Sequence, residues 1–196
     1  MMSRANAFDF MTIKGRVLDL GCYNGVYVAC GTQFVEPRPE VIGIDRDLEA
    51  LHVAKHLLHD VVHGDVRHLP FRHKTFDLAL ALEILEHLPR HETSKVMSEL
   101  RYVSDGLLLT TPNEGPAGVG WSISEHPLMR HEATISVSDL KGYGATRIRG
   151  IDAKHQLRVH LPFALPRFLL AIAAYYFPAR LATTLLAYYD FRSWKK

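Results

Sequence analysis

The sequence predicts an α/β protein with a doubly wound, mostly parallel seven-stranded sheet, a terminal antiparallel hairpin and an apolar helical C-terminal tail. Three observations lead there. Short β-type runs alternate with helix-like stretches through the first 111 residues, which implies right-handed crossovers and helices on both faces of one sheet. Two further β-type runs, 145–151 and 156–160, are separated only by Asp-Ala-Lys-His. Beyond them, Arg167, Arg180 and Asp190 are the only charges between residues 161 and 190.

The elements follow in order. Residues 16–20 (RVLDL) form a short apolar strand running into Gly21, and residues 26–33 a helix. A second buried strand, VIGID at 41–45, precedes a helical stretch over 48–59. A third strand is expected at 60–63, a fourth at 75–81, a helix at 90–103 and a fifth strand at 106–111 (GLLLTT). Residues 112–121 (PNEGPAGVGW) are a Gly- and Pro-rich loop long enough to act as a lid. A short helix at 137–142 leads to the hairpin, and the last thirty or so residues read as two apolar helices broken at Pro178. This makes residues 1–160 one domain and 161–196 an extension packed on that domain, on a partner or on a membrane surface.

Composition sets bounds. The chain has 196 residues, 47% of them hydrophobic and 22% charged, and a net charge of +2, which argues against disorder and against a strongly basic nucleic-acid arm. No DNA partner is expected. Cys22 and Cys30 have no CxxC spacing, so neither a disulfide framework nor a cysteine zinc site is available, and a reducing cytoplasm fits. The N-terminus lacks the apolar stretch of a secretory signal. Twelve histidines are the unusual entry in the composition. His52, His56, His59 and His63 recur at helical spacing but read as a solvated face.

Open α/β sheets bind ligands at the carboxyl ends of their strands. After the first strand comes Asp19-Leu-Gly21-Cys-Tyr-Asn-Gly25, whose glycines permit a tight turn and close backbone approach to a ligand. After the second, Asp45 stands where a carboxylate accepts hydrogen bonds from both hydroxyls of a ribose. After the third, Gly64-Asp65-Val66 offers an acid and an amide to an adenine edge. Taken singly, Gly21 and Gly25 read equally well as turn glycines and Asp45 as a helix N-cap. A nicotinamide-dinucleotide fold requires G-x-G-x-x-G, and this loop is G-x-x-x-G after an acid.

The set VLDLGCYNG, VIGIDRD, GDVRHLPF, KTFDLALALEILEHLP and LLLTTPN, from Val17 to Asn113, resembles the class I S-adenosylmethionine-dependent methyltransferases, of Rossmann-like fold. The resemblance implies that Asp19, Gly21 and Gly25 surround the methionine portion of S-adenosyl-L-methionine, Asp45 holds the ribose, and Asp65 and Val66 contact adenine. Tyr23 stands where the family usually has a glycine, and Arg46 where it usually has an apolar side chain against adenine. Tyr23, Arg46 and Glu83 complete the expected cofactor set.

On a helix, the spacing of Glu83, Glu86 and His87 puts all three on one face, which suits Mg²⁺ or Mn²⁺. The alternative is that the acids serve the helix dipole while His87 packs locally. The E-x-x-E-H pattern resembles two metal-assisted branches, the ubiquinone-biosynthesis O-methyltransferases and the small-RNA 3′-end 2′-O-methyltransferases, although relatives with no known metal share the letters. In the second branch a further histidine arrives from a region similar to Met129-Arg130-His131-Glu132, which adds His131 to the metal set. His126 and His131 are the candidate catalytic bases for a hydroxyl acceptor.

Arg147, Arg149, Lys154, His155, Arg158 and His160 form a basic cluster beside the apolar tail. Such a pairing suits peripheral contact with an anionic membrane, while completion of the core or a homodimer interface is the other reading. The expectation is a cytoplasmic or membrane-associated enzyme that methylates a hydroxyl on a small, lipid-linked or glycan-type acceptor, with carboxyl or amine as lesser acceptors. An RNA 2′-O-methyltransferase with a divalent metal and a non-catalytic S-adenosylmethionine-binding protein are the alternatives.

Overall fold

A computed structural model of the chain describes residues 13–113, 131–151 and 184–192. Its strands are β1 (Arg16–Leu20), β2 (Glu40–Asp45), β3 (Asp60–His63), β4 (Leu78–Leu82), β5 (Gly106–Pro112), β6 (Arg147–Ile151) and β7 (Thr184–Asp190). They form one sheet in the order β3-β2-β1-β4-β5-β7-β6. The first five run parallel, and β7 is antiparallel to both β5 and β6. Between them lie α1 (Val26–Thr32), α2 (Leu48–Ala54), α3 (Arg90–Val103) and α4 (Val137–Gly142).

Side-chain alternation along the strands divides the core in two. Leu18, Leu20, Ile42, Ile44, Leu107 and Leu109 point to the face covered by α3, whose Val96, Met97, Leu100 and Val103 repeat at helical spacing. Val17, Val41 and Leu80 point to the other face, against Val28 of α1 and Leu51 and Ala54 of α2. Strands buried on both faces read as continuous apolar runs, which is why β1, β2 and β5 stand out in the sequence. Asp19 interrupts that pattern, so a carboxyl is carried into the core at the end of β1.

Local chemistry sets the helix starts. Gly25 caps α1 in the left-handed conformation, at φ 72°. The Asp47 side chain accepts the amide of Ala50 at 3.0 Å, so Asp47, and not Asp45, caps α2. Ser136 and Asp139 form a reciprocal capping box on α4.

Several expectations are corrected. The helix expected over 48–59 ends at Ala54, and residues 55–57 continue as turns, the amides of His56 and Leu57 being bonded three residues back. His52, His56, His59 and His63 are exposed, in keeping with a solvated face. The fourth strand covers Leu78–Leu82, with Phe76 joined to Ser104 by a separate bridge.

The largest correction concerns the tail. Thr184–Asp190 is a strand rather than part of an apolar helix, and it lies between β5 and β6. Its Leu185, Ala187 and Tyr189 alternate into the core and are fully buried. The boundary expected between 160 and 161 therefore does not hold for residues 184–192, which belong to the same sheet. The antiparallel partner of β6 is β7, while the expected partner 156–160, the rest of the tail and Lys154, His155, Arg158 and His160 lie outside the described residues. No helix among the described residues is long and apolar enough to cross a membrane.

Candidate active site

A cavity of about 270 Å³ opens at the carboxyl end of the parallel strands. Asp19 of β1, Leu82 of β4 and Thr110 of β5 line it, together with Gly21 to Asn24, Tyr27, Val28, Glu83 and Thr184. Thr184 and Thr110 were not among the residues singled out from sequence. Thr184 carries no local signal, because its role depends on β7 joining β5.

The loop after β1 is held by its backbone. The amides of Gly21 and Cys22 donate to the Ile44 carbonyl, at 2.9 and 3.2 Å, and that of Gly25 to the Cys22 carbonyl at 2.9 Å. Gly21 sits at φ 66°, and a Cβ there would lie 2.1 Å from the Ile84 side chain. Tyr23, at φ 48°, occupies the left-handed region that a bulky residue rarely adopts. Its amide donates to Asp45 Oδ2 at 2.7 Å, while the Asp47 amide donates to Oδ1 at 2.8 Å. Each Asp45 oxygen accepts one backbone bond there and has capacity for another donor.

Asp19 is 4% exposed. Burial, reinforced by the nearby Asp45 charge, pushes its carboxyl up to about 8, which favours the protonated form at neutral pH. Burial also pushes the Cys22 thiol up, helped by Asp19 and Asp45, which keeps it protonated and poorly nucleophilic.

Beyond β3, Asp65 is already engaged. Arg67 holds its carboxylate through Nε to Oδ1 at 2.9 Å and Nη2 to Oδ2 at 2.6 Å, and Arg46 approaches to 3.8 Å. The Arg67 hydrogen bond is the chief reason the Asp65 carboxyl falls to about 2. Val66 beside it is buried. Arg67 escaped the sequence reading, since only the fold brings Glu92 of α3 to its other side.

The E-x-x-E-H segment does not form one helical face. Leu85–His87 is a single 3-10 turn, and Glu83 precedes it at φ 58° with its amide bonded to the Thr110 carbonyl at 3.0 Å. Glu83 thus goes to the cavity, and the expected grouping with Glu86 and His87 is corrected. What does meet Glu86 and His87 is His131: one ligand atom from each of the three lies within 4.8 Å of the others. The returning chain is fixed there by the amides of Glu132 and Ala133, which both donate to the Glu86 carbonyl, at 2.7 and 3.0 Å. Glu86 is buried, and its Oε2 accepts the Thr111 hydroxyl at 3.1 Å. The His87 and His131 rings meet edge to face with centroids 4.9 Å apart. Burial, and then the neighbouring His87, hold His131 below the ordinary histidine pKa. Its Nδ1 is buried without a hydrogen-bond partner among the described residues. His126 lies outside them.

Residues 17–105 match the methyltransferase domain family model. A protein of Encephalitozoon cuniculi with a provisional methyltransferase name is 34% identical over 104 residues, which is 52% of this chain. The chain spans about half (46%) of that relative's length. Among solved structures, an S-adenosylmethionine-dependent methyltransferase from Archaeoglobus fulgidus superposes with a TM-score of 0.65 at 16% identity, covering 93% of this chain and 89% of the other. The N-terminal domain of EvdMO1, solved with SAH bound, gives a TM-score of 0.53 at 20% identity, covering 74% of this chain and 71% of the other. These likenesses carry the fold, which is that of the S-adenosylmethionine-dependent methyltransferases, while the methyltransferase domain model matches residues 17–105, just under half of the chain.

Proposed function

We propose that this chain binds S-adenosylmethionine at the ends of β1, β2 and β3 and transfers its methyl group to a hydroxyl of a small, lipid-linked or glycan-type acceptor. The observation that carries the cofactor reading is the cavity bounded by Asp19, Gly21 and Glu83, with the Asp45 carboxylate anchored beside it by two backbone amides. In this reading Asp19 and Glu83 face the ammonium end and Asp45 accepts the ribose hydroxyls. Val66 and the Asp65 loop border adenine, and Arg46 covers it.

The acceptor oxygen forms its bond to the methyl carbon as the carbon–sulfur bond breaks, and sulfur leaves as a neutral thioether. The enzyme therefore supplies alignment, exclusion of water and a destination for the hydroxyl proton. His131 is assigned as that base because its lowered pKa keeps the imidazole neutral at physiological pH. His126, five residues before it in the sequence, shares the assignment. The test is incubation of the full chain with isotopically labelled cofactor and cell extract, followed by mass spectrometry of the aqueous and lipid fractions separately. A labelled hydroxyl compound is expected. Tight cofactor binding without any labelled product would overturn catalysis in favour of a sensor.

A second reading is favoured by the convergence of Glu86, His87 and His131. Two imidazoles and one carboxylate suit an ion that accepts nitrogen ligands, so Mn²⁺ fits this set better than Mg²⁺, which prefers oxygen. Bound there, such an ion would acidify a hydroxyl acceptor. Glu83 stands apart from that set. Peripheral membrane contact through the basic and apolar C-terminal stretch belongs to the lipid-linked form of the proposal, and co-sedimentation with anionic vesicles tests it.

A further inference from the structure

Two large exposed side chains, Tyr23 and Tyr27, stand within five residues of each other at the cavity. Tyr23 and Tyr27 both line it, 48% and 40% exposed. The other ionisable groups among the described lining residues are the carboxyls of Asp19 and Glu83 and the Cys22 thiol, which burial keeps neutral, and no Lys, Arg or His is among them. Two phenol rings beside two carboxyl groups, with no basic group among the described lining residues, are chemically suited to a cation. Tyr23 also holds φ 48°, where glycine would be at ease and a bulky side chain is not. A conformation that disfavours the ring, kept at the mouth of a cavity, points to a contact that the ring itself supplies.

Resting on the cofactor reading above, the position of that contact follows from covalent structure. The sulfonium of S-adenosylmethionine joins the ribose to the aminoalkyl chain. It must therefore lie between the groups that hold those two parts, Asp45 and Asp19. Tyr23 is the residue tied to Asp45 through its amide, at 2.7 Å. We propose that Tyr23 and Tyr27 form an aromatic wall that recognises the positive sulfonium and so distinguishes the methyl donor from its neutral thioether product. When the methyl group leaves, its bonding pair in the carbon–sulfur bond stays on sulfur, the charge disappears, and the attraction of the rings disappears with it. The product is then held more weakly than the donor, which favours exchange after each turnover.

The experiment is calorimetric titration of the full chain with S-adenosylmethionine and, separately, with S-adenosylhomocysteine. The variants are Tyr23→Phe, Tyr23→Asn and Tyr27→Leu. Asparagine tolerates the left-handed conformation, so Tyr23→Asn removes the ring while keeping the turn. Tyr23→Phe should retain the preference for the donor. Tyr23→Asn and Tyr27→Leu should each weaken donor binding about fivefold, as the loss of one cation–π contact implies, and leave product binding within about twofold. A donor-to-product affinity ratio unchanged in both ring-deleting variants overturns the proposal, even if both affinities fall together. Failure of the unmodified chain to bind either ligand would overturn the cofactor reading itself, and the wall with it.

Discussion

The guanidinium of Arg67 joins two elements at the carboxyl end of the sheet. It holds both oxygens of Asp65, at 2.9 and 2.6 Å, and its Nη1 spans both oxygens of Glu92, at 3.2 and 3.0 Å. The loop after β3 is thereby fastened to the first turn of α3.

Arg67→Ala should cost about 1–2 kcal/mol, the size expected of a partly buried ionic network, and lower Tm by roughly 2–6 °C. The sign with pH follows from the depressed Asp65 carboxyl. Its contribution is fully present above the unfolded value near 3.8 and is lost as pH falls through about 2. Urea unfolding of wild type and variant should therefore differ by a constant amount above pH 4 and converge below it. A gap that persists unchanged to pH 2 would contradict this.

Asp19 predicts the opposite slope. Its folded pKa of about 8 lies above the unfolded value of 3.8, so the native state holds the extra proton between them and stability declines as pH rises through that window. Asp19→Asn keeps a neutral group of the same shape. Without cofactor, the variant should gain on wild type in thermal unfolding between pH 6 and 8. A cofactor ammonium beside Asp19 favours the ionised form, so wild-type affinity should rise by up to about tenfold per pH unit over the same range, with proton release. Calorimetry in two buffers of different ionisation enthalpy measures that release, and it should be reduced in Asp19→Asn.

For the ribose assignment, Asp45→Ala should weaken cofactor binding at least tenfold, consistent with charge-assisted hydrogen bonds worth about 1.5–3 kcal/mol. The change also strands the amides of Tyr23 and Asp47. Asp45→Asn, which keeps one acceptor oxygen, should fall between. Unchanged affinity by titration would remove Asp45 from the site.

Gly43 drew no attention as a sequence position, yet a Cβ there would lie 2.5 Å from Cys22 Sγ and 2.8 Å from the Leu58 side chain. Gly43→Ala should destabilise by about 1–3 kcal/mol through overpacking. Adding Cys22→Ala should recover part of that loss in denaturant unfolding. Strictly additive effects would show that the two residues do not compete for the same space.

If Glu86, His87 and His131 hold a cation, Mn²⁺ titrated into the metal-stripped chain should bind one site that His131→Ala abolishes. Methyl transfer should fall with EDTA and return with Mn²⁺. Activity indifferent to chelation would leave His131 with the role of base alone.

Much of the carboxyl end of the parallel strands is legible in the chain because its signals are local. The glycines at 21 and 25 take the left-handed conformations a tight turn needs, and the apolar runs of β1, β2 and β5 announce buried parallel strands. The E-x-x-E-H segment misleads for an equally local reason. Helical spacing puts its three polar residues on one face only if Glu83 is helical, and Glu83 instead bonds across to β5.

Residue order was thus enough for the α/β alternation and for the three strand ends that carry Asp19, Asp45 and Asp65. Long-range pairing decided the rest. An apolar stretch such as 184–190 is compatible with helix or strand, and it becomes a strand because β5 and β6 each offer an unfilled hydrogen-bonding edge to it. That choice carries Thr184 into the cavity. The meeting of His131 with His87, and of Arg67 with both Asp65 and Glu92, likewise depends on segments far apart in sequence. Nothing local encodes such contacts, because they exist only once the sheet has brought the strand ends and the first turn of α3 together.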